Sequence, residues 1–444
     1  MFVSTGFSTR VQRRHGAPSL RALAVAALGA LALSAHAGEP RERAAWCADR
    51  CDQLVIDWNT TAYQVIKAVD GYADPLHASR ALAMMHLAMH DAANAVSPRF
   101  TTYLQVERDA SADAAVAAAS AAHGVLQALY PQAQAAPLLR AAFDSTLLDA
   151  GNSAATQRGS ALGQRVAVAL LQRRAGDGAR ATQPYREGMR AGEYRFTPGF
   201  DFVAHPQWRH VQPFALLTAR QYRSVAPPGL DSAEYTRAFL EVKETGSQAP
   251  DAKRSPDQTH YAAFWYEFSD IGWNRVARVV ARDRPQDLWE RARTFALLNV
   301  AMADAYIAGW DSKFHHNFWR PVTAIRMADG DGNRLTLPDA AFTPLMPTPP
   351  VQDYPSTHSS LGAAAATALA HALGSDAIAF ELTSTSALPA NPARRFTSFS
   401  EAARENADSR VRAGIHFRFA TRAGLAQGEQ VGRHTVQHIL MPLQ

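Results

Sequence analysis

The stretch WDSKFHHNFWRP, Trp310 to Pro321, decides how the rest of this chain reads. Lys313 is followed seven residues later by Arg320, and Pro321 comes next. On a helix a spacing of seven is about two turns, which predicts that both cations project from one face. Two fixed cations beside aromatics that limit solvent suit an anion with several oxygens. A Lys and an Arg alone describe many solvated helix faces. Two polar clusters further along the chain give this pair its weight.

The first of these is Pro355-Ser356-Thr357-His358, at the start of a helical run. Proline is excluded from helix interiors, and Ser356 or Thr357 can cap. The free N–H groups of the first turn then face the loop with a positive partial charge, a ready seat for an anion. His358 sits in that turn, where it can exchange a proton with the occupant. The second cluster is Ser409-Arg410, five residues, then His416, past Gly414. Arg410 offers a forked donor for oxyanions. Lys313, Arg320, Arg410, Ser356, a helix N-terminus and two histidines together make a pocket for a tetrahedral oxyanion. One histidine can attack or ligate its central atom and the other can handle protons.

Outward from these clusters, the 444 residues are 47% hydrophobic and 19% charged, the balance of a globular chain with a large core. Arg10, Arg13, Arg14 and Arg21 lie in the first 37 residues, which hold no Asp or Glu; removing those four charges from the formal +5 leaves +1. The basic balance is therefore no argument for nucleic acid. Residues 1–37 read as a secretory signal peptide: a basic region to Arg21, an apolar run Ala22–Leu33, and Ala35-His36-Ala37 for cleavage. The mature chain is expected from Gly38, secreted or periplasmic, and no later stretch suits a stable membrane insertion. Cys47 and Cys51 are the chain's cysteines, and a local staple or two free thiols both fit their spacing of four.

The fold class predicted is all-α, in two helical bundles. Helical patterning covers His77–Val96, Ser111–Tyr130, Ala136–Ala150 and Ser153–Arg174. Gly, Pro and aromatics scatter from Gly176 to Pro228, an irregular excursion that divides residues 38–210 from 211–444. Helices resume at Ser232–Thr245, Tyr261–Arg282 and Asp287–Asp311, then at His358–Leu373 and Leu425–Leu440. No convincing strand alternation is present.

The ordered set K-x6-RP, PS-x-H, SR-x5-H resembles the signature of the vanadium-dependent haloperoxidase and type 2 phosphatidic acid phosphatase superfamily. It spans Lys313 to His416, about a quarter of the chain. Trp310, Phe318-Trp319 and the HFRF run from His416 to Phe419 resemble the haloperoxidase branch, whose fold is all-α with two four-helix bundles. The resemblance implies that Lys313, Arg320 and Arg410 hold the equatorial oxygens of vanadate. Ser356 and the backbone N–H of Thr357 donate to it, His416 bonds the vanadium, and His358 is the acid–base group for peroxide. Vanadate would act as a Lewis acid that polarises hydrogen peroxide for attack by halide, with small organic substrates downstream. In a phosphatase of small phosphomonoesters, phosphate would occupy the same site, with His416 as nucleophile and His358 protonating the leaving group. A non-catalytic oxyanion-binding protein is a third reading, and a homodimer is a candidate assembly.

This chain departs from the pattern at three positions. Thr357 stands where the family has Gly. Ala420 stands where it has Asp, a carboxylate able to orient the histidine. Val351 stands where bromoperoxidases carry His and chloroperoxidases an aromatic.

Other polar residues read as structural. His315 and His316 are expected on the rim, away from the Lys313–Arg320 face. His86, His90 and Asp91 are expected to pack in a helix with the stripe Met84, Met85 and Met89, because no third metal ligand is near them. Asp251 and Asp257 are candidate acidic partners for a pocket cation.

Overall fold

The computed structural model describes residues 39–390 and 392–443, with side chains from 53 onward, so the leader at 1–37 and the pairing of Cys47 with Cys51 lie outside the described residues. The order of elements is α1 (Glu39–Asp70), α2 (Pro75–Val96), α3 (Ala114–Leu129), α4 (Ala136–Ala150), α5 (Ala154–Arg173), α6 (Ala233–Thr245), α7 (Pro256–Phe264), α8 (Ser269–Arg282), α9 (Leu288–His316), α10 (Pro321–Arg326), α11 (Thr357–Ala372), β1 (Phe380–Thr383), β2 (Ala393–Phe396), α12 (Phe399–Arg412) and α13 (Arg418–His438). The predicted all-α class holds, apart from one small antiparallel hairpin of β1 and β2. Trp46–Gln444 forms one compact unit.

Helix starts follow local chemistry. Asp113, Ser153, Ser232 and Ser398 each cap a helix by accepting the N–H of the third helical residue. Ser255 and Asp287 form full capping boxes with Gln258 and Glu290. Asp287 opens α9, which runs 29 residues and is buried without a break from Thr294 to Lys313. Helix α9 packs against α2, α11 and α13, so Lys313 is delivered at the end of the central rod. Met84, Met85 and Met89 are buried in the core, as their pattern predicts.

The excursion after α5 contains one 3-10 turn, Pro206–His210, and is otherwise irregular. Polar groups of α9 hold it. Asp304 accepts the N–H groups of Phe214, Ala215 and Leu216 at 2.7, 2.7 and 2.9 Å, and Asp311 accepts two hydrogen bonds from Arg223. Backbone that would otherwise be orphaned against a buried helix is thus satisfied.

Further elements differ from the sequence reading. Tyr261–Arg282 is two helices, because Glu267 at the break sends its carboxylate to Arg275 and Thr385. Helix α12 fills a polar stretch to which the sequence reading assigns no helix; its buried side carries Phe399, Ala402, Ala403, Ala407 and Val411 together with Asn406, Ser409 and Arg410. Helix α13 begins seven residues before Leu425, at Arg418.

Candidate oxyanion site

Three segments far apart in sequence meet because each carries an aromatic beside its polar group. Phe318 precedes Arg320, Tyr354 precedes Ser356, and Phe417 and Phe419 follow His416. These rings form one cluster, with centroids 6.2 Å apart for Phe318–Phe417, 5.6 Å for Phe318–Phe419, 6.1 Å for Tyr354–Phe419 and 5.1 Å for Phe417–Phe419. Burying these rings is the driving force that registers the motifs.

Lys313 and Arg320 do not share a helix face. Helix α9 stops at His316 and Asn317 takes a left-handed conformation, φ 49°. The chain turns, and Arg320 becomes the residue preceding α10. The two cations converge by that turn and not by helical periodicity. Lys313 Nζ donates to the carbonyls of Gln352 and Asp353 at 2.6 and 3.3 Å. Arg320 Nε donates to the carbonyl of Val351 at 2.6 Å, and Nη1 donates to that of Ile415 at 2.8 Å and to His416 Nε2 at 2.9 Å.

Arg410 lies in the last turn of α12, fully buried; Nε donates to Ser409 Oγ and Nη2 to the Ala262 carbonyl, while Nη1 has no partner. Gly414, at φ 78°, makes the turn from Arg410 to His416, and a Cβ there would sit 2.2 Å from the Gly246 carbonyl. Ser356 precedes the first turn of α11, fully buried, and its Oγ also lacks a partner. Thr357 and His358 occupy that turn, half-buried, with first-turn N–H groups that no helix bond uses.

His358 Nε2 lies 3.0 Å from the Glu267 carbonyl, an acceptor, so Nε2 carries the proton and Nδ1 the lone pair. That carbonyl is free because the chain breaks between α7 and α8. Burial lowers the His358 pKa well below the usual range, with Arg410, Arg320 and Lys313 adding to it, so its neutral, basic form is favoured. His416 is lowered likewise, by burial first and then by Arg320, Lys313, Arg410 and His358. All four groups therefore act on one imidazole.

A residue that sequence reasoning missed completes the cluster. Asp353 is fully buried, and its Oδ1 lies 2.7 Å from His416 Nδ1. The contact is at ion-pair distance, though neither atom is aligned for a hydrogen bond. Burial pushes the Asp353 pKa up to about 7, opposed by Arg320 and Lys313. The signal was present as an acidic residue inside a proline-rich loop, two positions before Pro355. Ala420 lies buried in the aromatic cluster, where its carbonyl accepts the Ser356 N–H at 2.9 Å. A carboxylate from 353 thus lies at ion-pair distance from His416, in a chain that has Ala at 420.

The remaining candidates lie elsewhere. Asp257 pairs with Arg394 and Asp251 is exposed, so neither reaches a pocket cation. His315 is exposed and His316 binds the Ser224 carbonyl at 2.8 Å, outside the cluster. His86 meets Asn59 Nδ2 at 2.9 Å, while Asp91 holds the backbone N–H groups of Tyr103 and Leu104. His86 packs as expected, and Asp91 in addition pins a loop.

Arg320 and Arg410 are buried charges, and Lys313 joins them when protonated. Among the described residues the one carboxylate acting on Lys313 and Arg320 is Asp353, and none acts on Arg410. Burial accordingly lowers all three cations, Arg410 to about 9. Buried charge without a counter-charge is costly. With two orphaned donors, Arg410 Nη1 and Ser356 Oγ, the cluster fits a multiply charged oxyanion.

Comparison with known proteins agrees with this chemistry. Residues 49–206 match the vanadium chloroperoxidase N-terminal domain, and residues 293–444 match the second helical-bundle domain of the same family. The vanadium chloroperoxidase of Curvularia inaequalis is 28% identical, over 70% of this chain and 64% of its own, so the chain spans just under two thirds of that enzyme's length. Two solved structures share the fold. A bacterial vanadium-dependent iodoperoxidase superposes with a TM-score of 0.76 at 24% identity, covering 88% of this chain and 98% of its own. A bacterial vanadium-dependent chloroperoxidase in its holo form gives 0.68 at 17% identity, covering 89% and 96%. With both domains matched in order, the chain belongs to the vanadium haloperoxidase family.

Proposed function

We propose that this protein is a vanadate-dependent haloperoxidase, oxidising halide with hydrogen peroxide. The observation that carries the reading is a set of three buried cations facing one carboxylate, Asp353, with Arg410 Nη1 and Ser356 Oγ left without partners. Lys313, Arg320 and Arg410 would hold the oxygens of vanadate, with the Ser356 hydroxyl and the Thr357 N–H as further donors. His416 would ligate through Nε2. Arg320 Nη1 occupies that lone pair here, so seating the anion exchanges an Arg–His hydrogen bond for an Arg–oxyanion one.

When bound, vanadate supplies Lewis acidity that polarises peroxide towards halide attack. The chain's own residues do the rest. Asp353 at His416 Nδ1 favours the tautomer with its lone pair on Nε2. His358 receives a proton at Nδ1 while the Glu267 carbonyl holds Nε2–H and fixes the ring. An anion among the cations offsets the field that lowers His358, so the base strengthens as the site fills.

The leader read at 1–37 extends the proposal to export, and a homodimer is the candidate assembly. Among the described residues no helix is long and apolar enough to cross a membrane. Purified protein should halogenate a phenolic dye only when vanadate and peroxide are both supplied, and His416→Ala should abolish this. Hydrolysis of a chromogenic phosphate ester, inhibited by vanadate and without halogenation, would instead establish the phosphatase reading. Retention of phosphate with neither activity would leave an oxyanion-binding protein.

A further inference from the structure

A second cluster lies outside the oxyanion site, where the start of α2 meets the excursion. The geometry points to a divalent transition-metal site of the zinc class, formed by Asp74, His77 and His205. One ligand atom from each of the three lies within 4.8 Å of the others, and among the described residues no other group of three or more His, Cys, Asp or Glu side chains does so.

Asp74 caps α2 and accepts the His77 N–H at 3.1 Å, which fixes its carboxylate. His77 Nδ1 lies 2.7 Å from Asp74 Oδ2, and His205 Nε2 lies 3.3 Å from Asp74 Oδ1. Two ligands about 2.1 Å from a tetrahedral ion stand roughly 3.4 Å apart, so side-chain rotations of about 1 Å would complete the site. Both imidazoles pack edge-on against the buried Trp208, at 4.9 and 6.0 Å between centroids. That contact limits how far either ring can turn away.

His205 is held in a left-handed conformation, φ 47°, which a residue with a side chain adopts at a cost of about 1 kcal/mol. Its neighbour Ala204 is tied on both sides, its N–H to the Pro350 carbonyl at 2.7 Å and its carbonyl to the Trp310 indole at 3.1 Å. The chain therefore spends strain to aim this imidazole at Asp74. Side-chain exposures of 36% for His77, 32% for Asp74 and 26% for His205 leave the ion a route in and a fourth position for water.

Two nitrogens and one carboxylate suit zinc and not calcium or magnesium, which take mostly oxygen ligands. The metal would lock residues 204–208 onto α2. Through Ala204 it would also brace Trp310 and Pro350, which adjoin Lys313 and the Val351 carbonyl that holds Arg320.

The test is a zinc titration of chelator-stripped full-length protein by calorimetry, with inorganic phosphate present throughout. Wild type should bind one equivalent with a micromolar or tighter dissociation constant. His205→Asn keeps a residue that tolerates the left-handed backbone, and His77→Ala leaves that backbone untouched. Each should weaken binding on the order of 100-fold, while His416→Ala keeps the full equivalent. Failure of wild type to bind zinc, or unchanged binding in both His205→Asn and His77→Ala, would overturn the proposal.

Discussion

Asp353 sets a buried carboxylate beside His416. A carboxylate behind a ligating histidine sets its tautomer and raises its donor strength. In the family pattern that acid sits four residues after the histidine, where this chain has Ala420 packed among Tyr354, Phe417 and Phe419. Here the acid comes from the loop before α11 and meets Nδ1 at 2.7 Å. Asp353→Asn keeps the shape and removes the charge. It is expected to weaken vanadate binding about 10–100-fold without lowering the unfolding midpoint, measured by titration and by thermal melts. The polar motif residues were legible one by one, because Lys313, Arg320, Ser356, Arg410 and His416 occur in a recognisable order. Asp353 was not, because its role depends on a contact across 63 positions that no local spacing encodes.

At the scale of elements, the site depends on close packing between α11 and α13. Gly428 of α13 faces α11, and a Cβ there would lie 2.0 Å from the Ser360 carbonyl. Next to it Gln427 donates to the Ala308 carbonyl and to Ser312 Oγ on α9, and accepts from Ser360 on α11. Moving α13 by an ångström would therefore disturb the helices that carry both Lys313 and His358. Gly428→Ala is expected to cost about 1–3 kcal/mol in denaturant unfolding and to reduce vanadate affinity. Gly309→Ala on α9 is its control, since its nearest neighbour would be 3.8 Å away. That variant should stabilise by up to about 1 kcal/mol. Helices such as α4 and α9 were legible from their apolar patterning. Helix α12 was not, since its mean composition is polar and tertiary burial decides it. The break after Phe264 escaped notice for a similar reason, because a buried Glu267 and its partner Arg275 enforce it. The Lys313–Arg320 spacing named the right pair through the wrong geometry, as the left-handed Asn317 leaves no mark on a helical wheel.

The whole molecule buries ionisable groups in opposing ways. His86 is fully buried, and burial with Arg278 nearby lowers its pKa to about 3. The unfolded chain thus binds the extra proton between about pH 3 and 6.5, and this histidine makes stability rise with pH across that window. Burial pushes Asp270 up to about 7, opposed by hydrogen bonds from Tyr72 and Tyr306. There the folded chain holds the proton, so stability falls as pH rises from about 4 to 7. In wild type the two slopes oppose each other. His86→Gln retains an acceptor for Asn59 and removes the first, so its stability should decline with pH relative to wild type by about 1.4 kcal/mol per unit between pH 4 and 6. Denaturant melts across that range measure it, and parallel curves would show that His86 does not titrate as its burial requires.

At this same scale the oxyanion site is a store of unbalanced positive charge that three segments are folded to hold. Calorimetric titration with orthovanadate tests that most directly, on wild type, Arg410→Ala, His416→Ala and, as a control, His315→Ala at the exposed rim. Wild type and the control should each bind one vanadate per chain, and the two site variants should bind on the order of 100-fold more weakly. No saturable binding in wild type, or equal binding in all four proteins, would contradict a shared seat for the anion.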